Sequence, residues 1–330
     1  MKIFITGSEG FIGSHLVESL LKNKYKVTAL VLYNFKSSSS WLSDLERSNN
    51  KHLKVIYGDV RDFNFILNQT RNFDLIFHLA ALISIPYSYL SPKSYLDTNL
   101  MGTYNILEAA KINKIKKIII TSTSEVYGTA KYVPIDEGHV LQPQSPYSAS
   151  KISADNLSLS YYNSFNLPVT IVRPFNTFGP RQSTRAVIPS LLTQISFGKS
   201  KLNVGNLKPS RDFTYVKDTV EAFCKTINAK YIEGEVINIC NNFDISILDL
   251  LNVLRDELKL EFSFKIDKKR LRPNKSEVFR LHGSNKKAKK LLNWTPEFSG
   301  KKGFIKAIKE TNDWYKIPEN LKFFKDFYNI

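Results

Sequence analysis

The sequence has 330 residues, enough for one large domain or two interleaved ones. Its 42% hydrophobic and 23% charged residues exclude a mostly disordered chain, and no apolar run reaches the roughly 18 residues of a membrane-spanning helix. Basic residues outnumber acidic ones by 47 to 30, and the net charge of +17 suits either nucleic acid or a smaller anionic ligand. Because the lysines are largely scattered, we expect solvated helix faces rather than a nucleic-acid interface.

The N-terminal segment and the cysteines bear on the cellular environment. The segment MKIFITGSEGFIG has too short an apolar run for a secretory signal, because a glycine turn begins by residue 7. Cys224 and Cys240 are too few for a disulfide framework or a zinc cluster, and both lie in apolar stretches. We therefore predict buried free thiols, no metal site, no membrane partner and a reducing, cytoplasmic environment.

Apolar strands alternate with helices through the first half of the chain. The predicted strands are Lys2–Thr6, Val27–Leu32, Lys54–Tyr57, Leu75–Leu79, Lys117–Ile120 and Val169–Val172. The predicted helices are Phe11–Asn23, Asn99–Asn113 and Tyr147–Phe165. This alternation predicts an α/β fold built on a Rossmann-like, doubly wound parallel sheet with right-handed crossovers. A ligand is then expected at the carboxyl ends of the strands.

The composition changes after Arg173, where proline, asparagine, glycine and arginine cluster as far as Arg185. The elements predicted beyond this point are helices at Val187–Phe197, Val216–Asn228, Ile247–Leu258 and Lys286–Leu292 and a strand at Glu235–Cys240. We predict that residues 1–176 and 212–242 form the Rossmann domain. Residues 177–211 and 243–330 then form a smaller, interleaved α/β domain.

A glycine-rich turn joins the first strand to the first helix. Its sequence is Gly7-Ser8-Glu9-Gly10-Phe11-Ile12-Gly13. Glycine permits a tight turn and a close backbone approach, and free amides at the start of a helix can hold a pyrophosphate. The spacing is GxxGxxG rather than the commoner GxGxxG. We predict that Gly7, Gly10, Phe11, Ile12 and Gly13 bind a dinucleotide.

Other strand ends supply further candidates for the dinucleotide site. Asp59 and Val60 follow the third strand, where an aspartate can bind an adenine amino group or cap the next helix. Leu79, Ala80 and Ala81 follow the fourth strand, and the small alanine side chains allow the backbone to approach a cofactor closely.

The end of the second strand lacks the acid that commonly accepts the ribose 2′-hydroxyl of NAD. The segment 31–38 reads VLYNFKSS and contains neither Asp nor Glu. Lys36 and the following serines could instead contact a 2′-phosphate, and Asn34 is a further candidate for cofactor binding, so NAD and NADP both remain open.

A tyrosine and a lysine four residues apart begin the third predicted helix. Tyr147 and Lys151 share one helix face at this spacing. A nearby ammonium is expected to lower the pKa of the phenol, which could then act as a base towards an alcohol. The segment TSTSEVYG, residues 121–128, follows a strand at the ligand edge of the sheet, and a hydroxyl there could align that alcohol.

The sequence resembles the extended short-chain dehydrogenases/reductases, which include NAD(P)-dependent nucleotide-sugar epimerases and dehydratases. The resemblance covers nearly the whole chain and rests on GSEGFIG, GDV, HLAA, Asn99 with Gly102-Thr103, TSTSEVYG, YSASK, RPFNTFGPRQ and RDFTYVKD. It implies a tightly bound, recycled NAD or NADP, a nucleotide-diphosphate sugar and a homodimer formed through two helices per subunit. The residues that match its catalytic triad are Thr123, Tyr147 and Lys151. Thr121, Asn99 and Lys151 would support the cofactor.

Within this resemblance, Glu125 favours dehydration. Sugar 4,6-dehydratases have an acid at this position, which removes the proton from C5 once C4 is a ketone, whereas epimerases of this type usually lack it. Ser124 precedes Glu125, as in GDP-mannose dehydratases. Whether Glu125 alone is both base and acid, or Ser124 or a water assists, stays open. UDP-glucuronate decarboxylases carry a similar Ser-Glu segment.

The resemblance also implies contacts to the nucleotide sugar. The candidate diphosphate and nucleotide ligands are Asn176, Arg181, Arg185, Arg211 and Arg272, because arginine pairs well with phosphate. Several stretches resemble the 4,6-dehydratases of legionaminic-acid pathways, which act on N-acetylglucosamine linked to UDP or GDP. Ile83 and Tyr87 would then line the sugar pocket.

The resulting hypothesis is a nucleotide-sugar 4,6-dehydratase that makes a 4-keto-6-deoxy sugar. The alternatives within the family are a 4-epimerase and a UDP-glucuronate decarboxylase. The alternative outside enzymes is a nucleotide-sensing or nucleic-acid-binding protein, which the charge of +17 suggests.

Overall fold

A computed structural model describes residues 1–36 and 38–325. Its strands are β1 (Lys2–Thr6), β2 (Lys26–Leu32), β3 (Leu53–Gly58), β4 (Leu75–His78), β5 (Lys117–Thr121), β6 (Val169–Pro174), β7 (Asn176–Phe178), β8 (Lys201–Val204), β9 (Ser210–Tyr215), β10 (Val236–Ile239), β11 (Asp244–Ser246), β12 (Ser263–Ile266) and β13 (Arg280–Leu281).

Helices cover the faces and edges of these strands. They are α1 (Phe11–Lys22), α2 (Ser43–Arg47), α3 (Phe63–Gln69), α4 (Ile85–Leu90), α5 (Pro92–Tyr95), α6 (Gly102–Ile112), α7 (Pro146–Phe165), α8 (Val187–Ser196), α9 (Val216–Asn228), α10 (Ile247–Leu258), α11 (Lys286–Leu292), α12 (Gly300–Lys316) and α13 (Pro318–Leu321). A π-helical turn spans Leu96–Met101, and short 3₁₀ turns lie at Ser40–Leu42, Ser124–Tyr127, Lys268–Arg270 and Asn274–Ser276.

Seven strands form one parallel sheet in the order β3–β2–β1–β4–β5–β6–β10. Ile3 in β1 lies opposite Val27 in β2 on one side and Leu75 in β4 on the other. The strand order changes direction between β1 and β4, which opens a crevice at their carboxyl ends. The predicted doubly wound α/β fold is confirmed.

Apolar layers cover both faces of this sheet. In β1, Ile3 and Ile5 belong to a core on one face with Leu16 of α1, whereas Phe4 belongs to the core on the other face with Ile106 of α6. All five residues are fully buried. Side chains that alternate between two buried faces are typical of a parallel strand covered by helices on both sides.

The chain leaves the central sheet after β6 and returns to it at β10. Between and beyond these strands, β9 pairs with β7 and β13 in parallel and with β11 in antiparallel orientation, and β8 pairs with β12. β7 follows β6 after a single residue, so the smaller sheet begins directly at the carboxyl end of β6. The boundaries of the two domains stay a prediction.

Several elements differ from the sequence-based expectation. The helix predicted at Asn99–Asn113 is a π-helical turn at Leu96–Met101 followed by α6. α12 was not predicted, although Phe304, Ala307, Ile308 and Tyr315 form a buried stripe at helical spacing. The sequence pattern also does not predict short elements such as α4, β7 and β13, because two to six residues are too few to show a hydrophobic periodicity.

Two further expectations concern the membrane and the cysteines. Among the described residues, none of the helices combines the length and the apolar character needed to span a membrane. Both cysteines are free, Cys240 is fully buried and Cys224 is partly buried. Burial raises the pKa of both thiols.

Candidate active site

A cavity of about 770 Å³ opens at the carboxyl ends of the central strands and extends to the residues around β9. Most of the predicted site residues line it. They are Gly7, Gly10, Phe11, Ile12, Gly13, Asp59, Val60, Leu79, Ala80, Ala81, Ile83, Tyr87, Thr121, Thr123, Glu125, Tyr147, Lys151, Asn176, Arg185, Arg211 and Arg272. Tertiary structure thus gathers side chains from both halves of the chain around one space.

The glycine turn fits a dinucleotide phosphate. Gly7 has φ +65°, and a Cβ there would lie 2.7 Å from the backbone nitrogen of Ala80. α1 begins after Gly10, which has no side chain to cap the helix. The first amides of α1 are therefore available to an anionic group at the positive end of the helix dipole.

At the end of β3, Asp59 is already engaged by a neighbouring arginine. Nε of Arg61 donates to both carboxylate oxygens of Asp59 at 3.0 Å. These bonds lower the pKa of Asp59. The next residue, Val60, is 6% exposed, and its carbonyl accepts a hydrogen bond from Asn105. The adenine contact of Asp59 stays a prediction.

Tyr147 and Lys151 lie on α7, and the residues directly around its first turn determine where this helix begins. Ser145 and Ser148 form a capping box, and Pro146 occupies the first turn. Tyr147 is 7% exposed and Lys151 is 3% exposed. The ammonium of Lys151 donates to the carbonyl oxygen of Thr121 at 2.6 Å, which links α7 to the end of β5.

The expected fall in the pKa of Tyr147 is wrong for this structure. Burial raises the pKa of the phenol, the hydrogen bond with Thr123 lowers it, and the charge of Glu125 raises it further. Burial also lowers the pKa of Lys151, while Asp155 raises it. Desolvation favours the neutral phenol, and its effect exceeds the one expected of the neighbouring ammonium.

Behind the triad lies a buried ion pair. Asp155, one helical turn after Lys151, accepts hydrogen bonds from Ser122 at 2.7 Å and from Nε of Arg173 at 3.0 Å. Arg173 also donates to the hydroxyl of Tyr127 at 3.0 Å. Ser122 lies between Thr121 and Thr123, so this pair holds the strand end that carries the candidate catalytic hydroxyl.

Glu125 lies in the cavity beside a group of charged side chains. It is 7% exposed, and the hydroxyl of Thr123 accepts its backbone N–H at 3.2 Å. Nη1 of Arg272 is 3.8 Å from Oε2 of Glu125, and it has no hydrogen-bond partner within the described chain. A buried guanidinium nitrogen without an acceptor suits an anionic ligand.

Glu277 is a cavity residue that the sequence argument missed. It is 8% exposed, and Oε1 lies 3.6 Å from Nη2 of Arg211 and 4.0 Å from Nη1 of Arg272. Arg211 also donates to the carbonyl of Ser210 at 2.9 Å. The sequence shows only an acid five residues after Arg272. The fold is what brings this acid between Arg211 and Arg272.

Asn176 has the geometry expected of a ligand-binding residue. Its amide oxygen is buried without a hydrogen-bond partner within residues 1–36 and 38–325, and it lines the cavity. Arg185 also lines the cavity, with Nε donating to Ser183 at 3.1 Å. Ile83 is 59% exposed and Tyr87 is 36% exposed on the cavity wall.

Five predicted site residues do not line the cavity, and three of these make their contacts elsewhere on the molecule. Arg181 donates to Glu18 at 2.6 Å and to Ser14 at 3.2 Å, so it joins α1 instead of facing a diphosphate. Asn34 donates to the carbonyls of Leu32 and Ser38 and forms a turn. Lys36 is exposed, with Nζ 5.7 Å from the centre of the Phe35 ring.

Ser124 and Asn99 are buried behind the residues that line the cavity. Ser124 is 2% exposed and does not line the cavity, so a direct catalytic contact is not supported. Asn99 is fully buried, and its amide accepts from the backbone N–H of Leu82 at 2.8 Å and donates to Ser150 at 3.0 Å. These bonds hold the backbone of Leu82 in the cavity wall, and the cofactor contact of Asn99 stays a prediction.

The fold and this site define a Rossmann-type enzyme of the short-chain dehydrogenase/reductase class. Residues 4–307 match the family described as GDP-mannose 4,6 dehydratase, and the chain belongs to this family. The predicted family and enzyme class are confirmed at this level.

Similar proteins catalyse different reactions. The chain is 32% identical to human dTDP-D-glucose 4,6-dehydratase, over 96% of this chain and 90% of that protein. It is 33% identical to UDP-N-acetyl-alpha-D-glucosaminuronate decarboxylase of Bacillus cytotoxicus, over 97% and 99% of the two chains. The solved UDP-glucuronic acid 4-epimerase of Bacillus cereus, in complex with UDP-glucuronic acid and NAD, has a TM-score of 0.84 and 30% identity, over 96% and 99%. An NAD(P) cofactor is therefore confirmed, whereas these similar proteins do not share one reaction.

Proposed function

We propose that this protein is a nucleotide-sugar 4,6-dehydratase that acts on UDP- or GDP-linked N-acetylglucosamine. The observation that carries the proposal is Glu125, a carboxylate in the same cavity as Tyr147 and Thr123. The charge of Glu125 also raises the pKa of Tyr147, which agrees with their place in one cavity. An epimerase has no need of this second base.

The chain's own residues have distinct roles in the proposed reaction. Thr123 aligns the 4-hydroxyl, and Tyr147 takes its proton. When bound in the cavity, a nicotinamide cofactor would supply the temporary hydride acceptor that oxidation at C4 and reduction at C6 both require. Glu125 removes the proton from C5, which the C4 ketone has made acidic, and the C6 hydroxyl leaves with a proton as water. Lys151 supports the ribose of the cofactor from its place beside Thr121.

The charged group around Arg272 supports a diphosphate-bearing substrate. Arg211, Arg272 and Asn176 line the cavity, and Nη1 of Arg272 and the amide oxygen of Asn176 are buried without hydrogen-bond partners in the described chain. Ile83 and Tyr87 offer partly exposed apolar surface to the sugar. UDP and GDP both suit this arrangement. The homodimer and the legionaminic-acid-type pathway remain predictions from the family resemblance.

The test is to incubate the purified enzyme separately with UDP- and GDP-N-acetylglucosamine and to measure product mass. A product lighter by one water, with no net consumption of cofactor, is expected with one donor. Glu125→Gln should lose this elimination while still oxidising C4, which reduced-nicotinamide absorbance would detect. Glu221→Gln, which changes a half-exposed carboxylate paired with Lys225, is the matched control and should leave turnover unchanged.

Other products would overturn the proposal. An isomer of unchanged mass with a shifted sugar NMR spectrum would indicate epimerisation and remove the role given to Glu125. Release of carbon dioxide from UDP-glucuronate, with no dehydration of either N-acetylglucosamine donor, would establish the decarboxylase instead.

A further inference from the structure

The residues at the end of β2 include no acid, but the fold brings an acid from another segment to this place. An acid commonly stands there to accept the ribose 2′-hydroxyl of NAD, yet residues 31–38 contain none. In the folded chain, Glu9 of the glycine turn reaches this position. Its Oε1 accepts a hydrogen bond from the backbone N–H of Leu32, the last residue of β2, at 2.9 Å.

The other oxygen of this carboxylate is poised for a ligand. Oε2 of Glu9 is buried and has no hydrogen-bond partner within the described part of the chain. Glu9 lines the cavity together with Leu30 and Leu32 of β2 and Gly58 of β3. An unpaired buried carboxylate oxygen is costly, and a hydroxyl donor from a ligand would remove that cost.

We propose that Glu9 replaces the missing acid of β2 and selects NAD over NADP. Oε2 accepts a hydrogen bond from the ribose 2′-hydroxyl of NAD, and the negative charge of the carboxylate repels the 2′-phosphate of NADP. The inference rests on the nicotinamide cofactor of the proposed function and is independent of its sugar substrate.

The cations near this end of the cavity do not offset that repulsion. Lys36 is exposed and lies outside the cavity, and the side-chain amide of Asn34 is hydrogen-bonded within a local turn. Arg61 does line the cavity, but its guanidinium is bound to both carboxylate oxygens of Asp59. A 2′-phosphate beside Glu9 would therefore meet a like charge at short range, where repulsion is strong.

Calorimetry with protein stripped of bound dinucleotide would measure the dissociation constants of NAD and NADP. The wild-type protein should bind NAD at least about tenfold more tightly, since one like-charge contact is worth at least that factor. Glu9→Gln keeps an acceptor for the Leu32 amide but removes the negative charge. The variant should therefore bind NADP more tightly, which brings the dissociation constants of NADP and NAD closer together. Glu297→Gln removes a charge that is 72% exposed and should leave the ratio unchanged.

Equal affinities, or tighter binding of NADP by the wild-type protein, would overturn the inference, as would an unchanged ratio in Glu9→Gln. Should Glu9→Gln fail to fold, the smaller Glu9→Ser variant provides the same comparison. Binding of neither dinucleotide would overturn both this inference and the cofactor of the proposed function. A measured NAD preference without dehydration of any sugar nucleotide would overturn the proposed reaction alone.

Discussion

The ammonium of Lys151 is hydrogen-bonded to the carbonyl oxygen of Thr121 at 2.6 Å. This bond attaches the first turns of α7 to the end of β5, the strand that leads to Thr123 and Glu125. Lys151 is 3% exposed, and Asp155 on the next turn raises its pKa against the effect of burial. The start of α7 and the end of β5 are thus held together through a buried charge.

Replacing Tyr147 by Phe should abolish the first proton transfer. Removal of a positioned base commonly costs a factor of about 10² to 10⁴, so turnover should fall within that range while the nucleotide sugar still binds. Steady-state kinetics and calorimetry would measure the two quantities. Tyr132→Phe is the matched control, because its hydroxyl binds exposed Asp136 outside the cavity. Wild-type turnover in Tyr147→Phe would contradict the assignment.

Replacing Arg272 by Met should weaken substrate binding. Nη1 of Arg272 is buried without a hydrogen-bond partner among the described residues, so a diphosphate is its expected acceptor. Loss of one charge-assisted hydrogen bond of about 1.5–3 kcal/mol predicts a dissociation constant for the nucleotide sugar that is roughly 10- to 150-fold higher. The affinity for NAD should not change.

Arg280→Met provides the control for that experiment. Arg280 is paired with Asp244 and does not line the cavity. An equal loss of substrate affinity in both variants would point to a general effect of charge, and the diphosphate role of Arg272 would be withdrawn.

Asp155→Asn should destabilise the protein. Asp155 is fully buried and its pair with Arg173 is 2.9 Å long, so the variant leaves a buried guanidinium uncompensated. The expected loss in the free energy of unfolding is about 3–5 kcal/mol, measured in urea. Asp97→Asn breaks an exposed pair with Lys93 and should cost less than about 1 kcal/mol. Similar losses in the two variants would argue against a structural role for the buried pair.

Gly7→Ala should both destabilise the fold and weaken dinucleotide binding. Alanine at φ +65° costs about 1–2 kcal/mol, and overpacking against the backbone of Ala80 adds about 1–3 kcal/mol. Gly198 has φ +78° but nothing within 4 Å of an added Cβ. Gly198→Ala should therefore show only the conformational cost and normal NAD affinity. If the two variants lose equal stability, crowding at Gly7 is unimportant.

Local patterns made much of the site predictable. The glycine turn, the alternation of β1 to β6 with helices and the serine cap before Tyr147 depend on residues within a few positions of one another. Parallel strands bring their carboxyl ends to one edge, so Gly7, Ala80 and Thr123 could be assigned to a common crevice from sequence. Glu125, by contrast, was singled out by the resemblance to sugar 4,6-dehydratases, which have an acid at this position.

The sequence by itself determined the doubly wound sheet, the glycine turn and the shared face of Tyr147 and Lys151, because these follow from short-range periodicity and backbone conformation. Only tertiary structure decided that Glu9 reaches Leu32, that Glu277 lies between Arg211 and Arg272, and that Arg181 pairs with Glu18. It also reversed the expected pKa shift of Tyr147 through burial. Pairing between side chains of distant segments and desolvation both depend on the residues that pack around a side chain. A local sequence pattern does not contain this information.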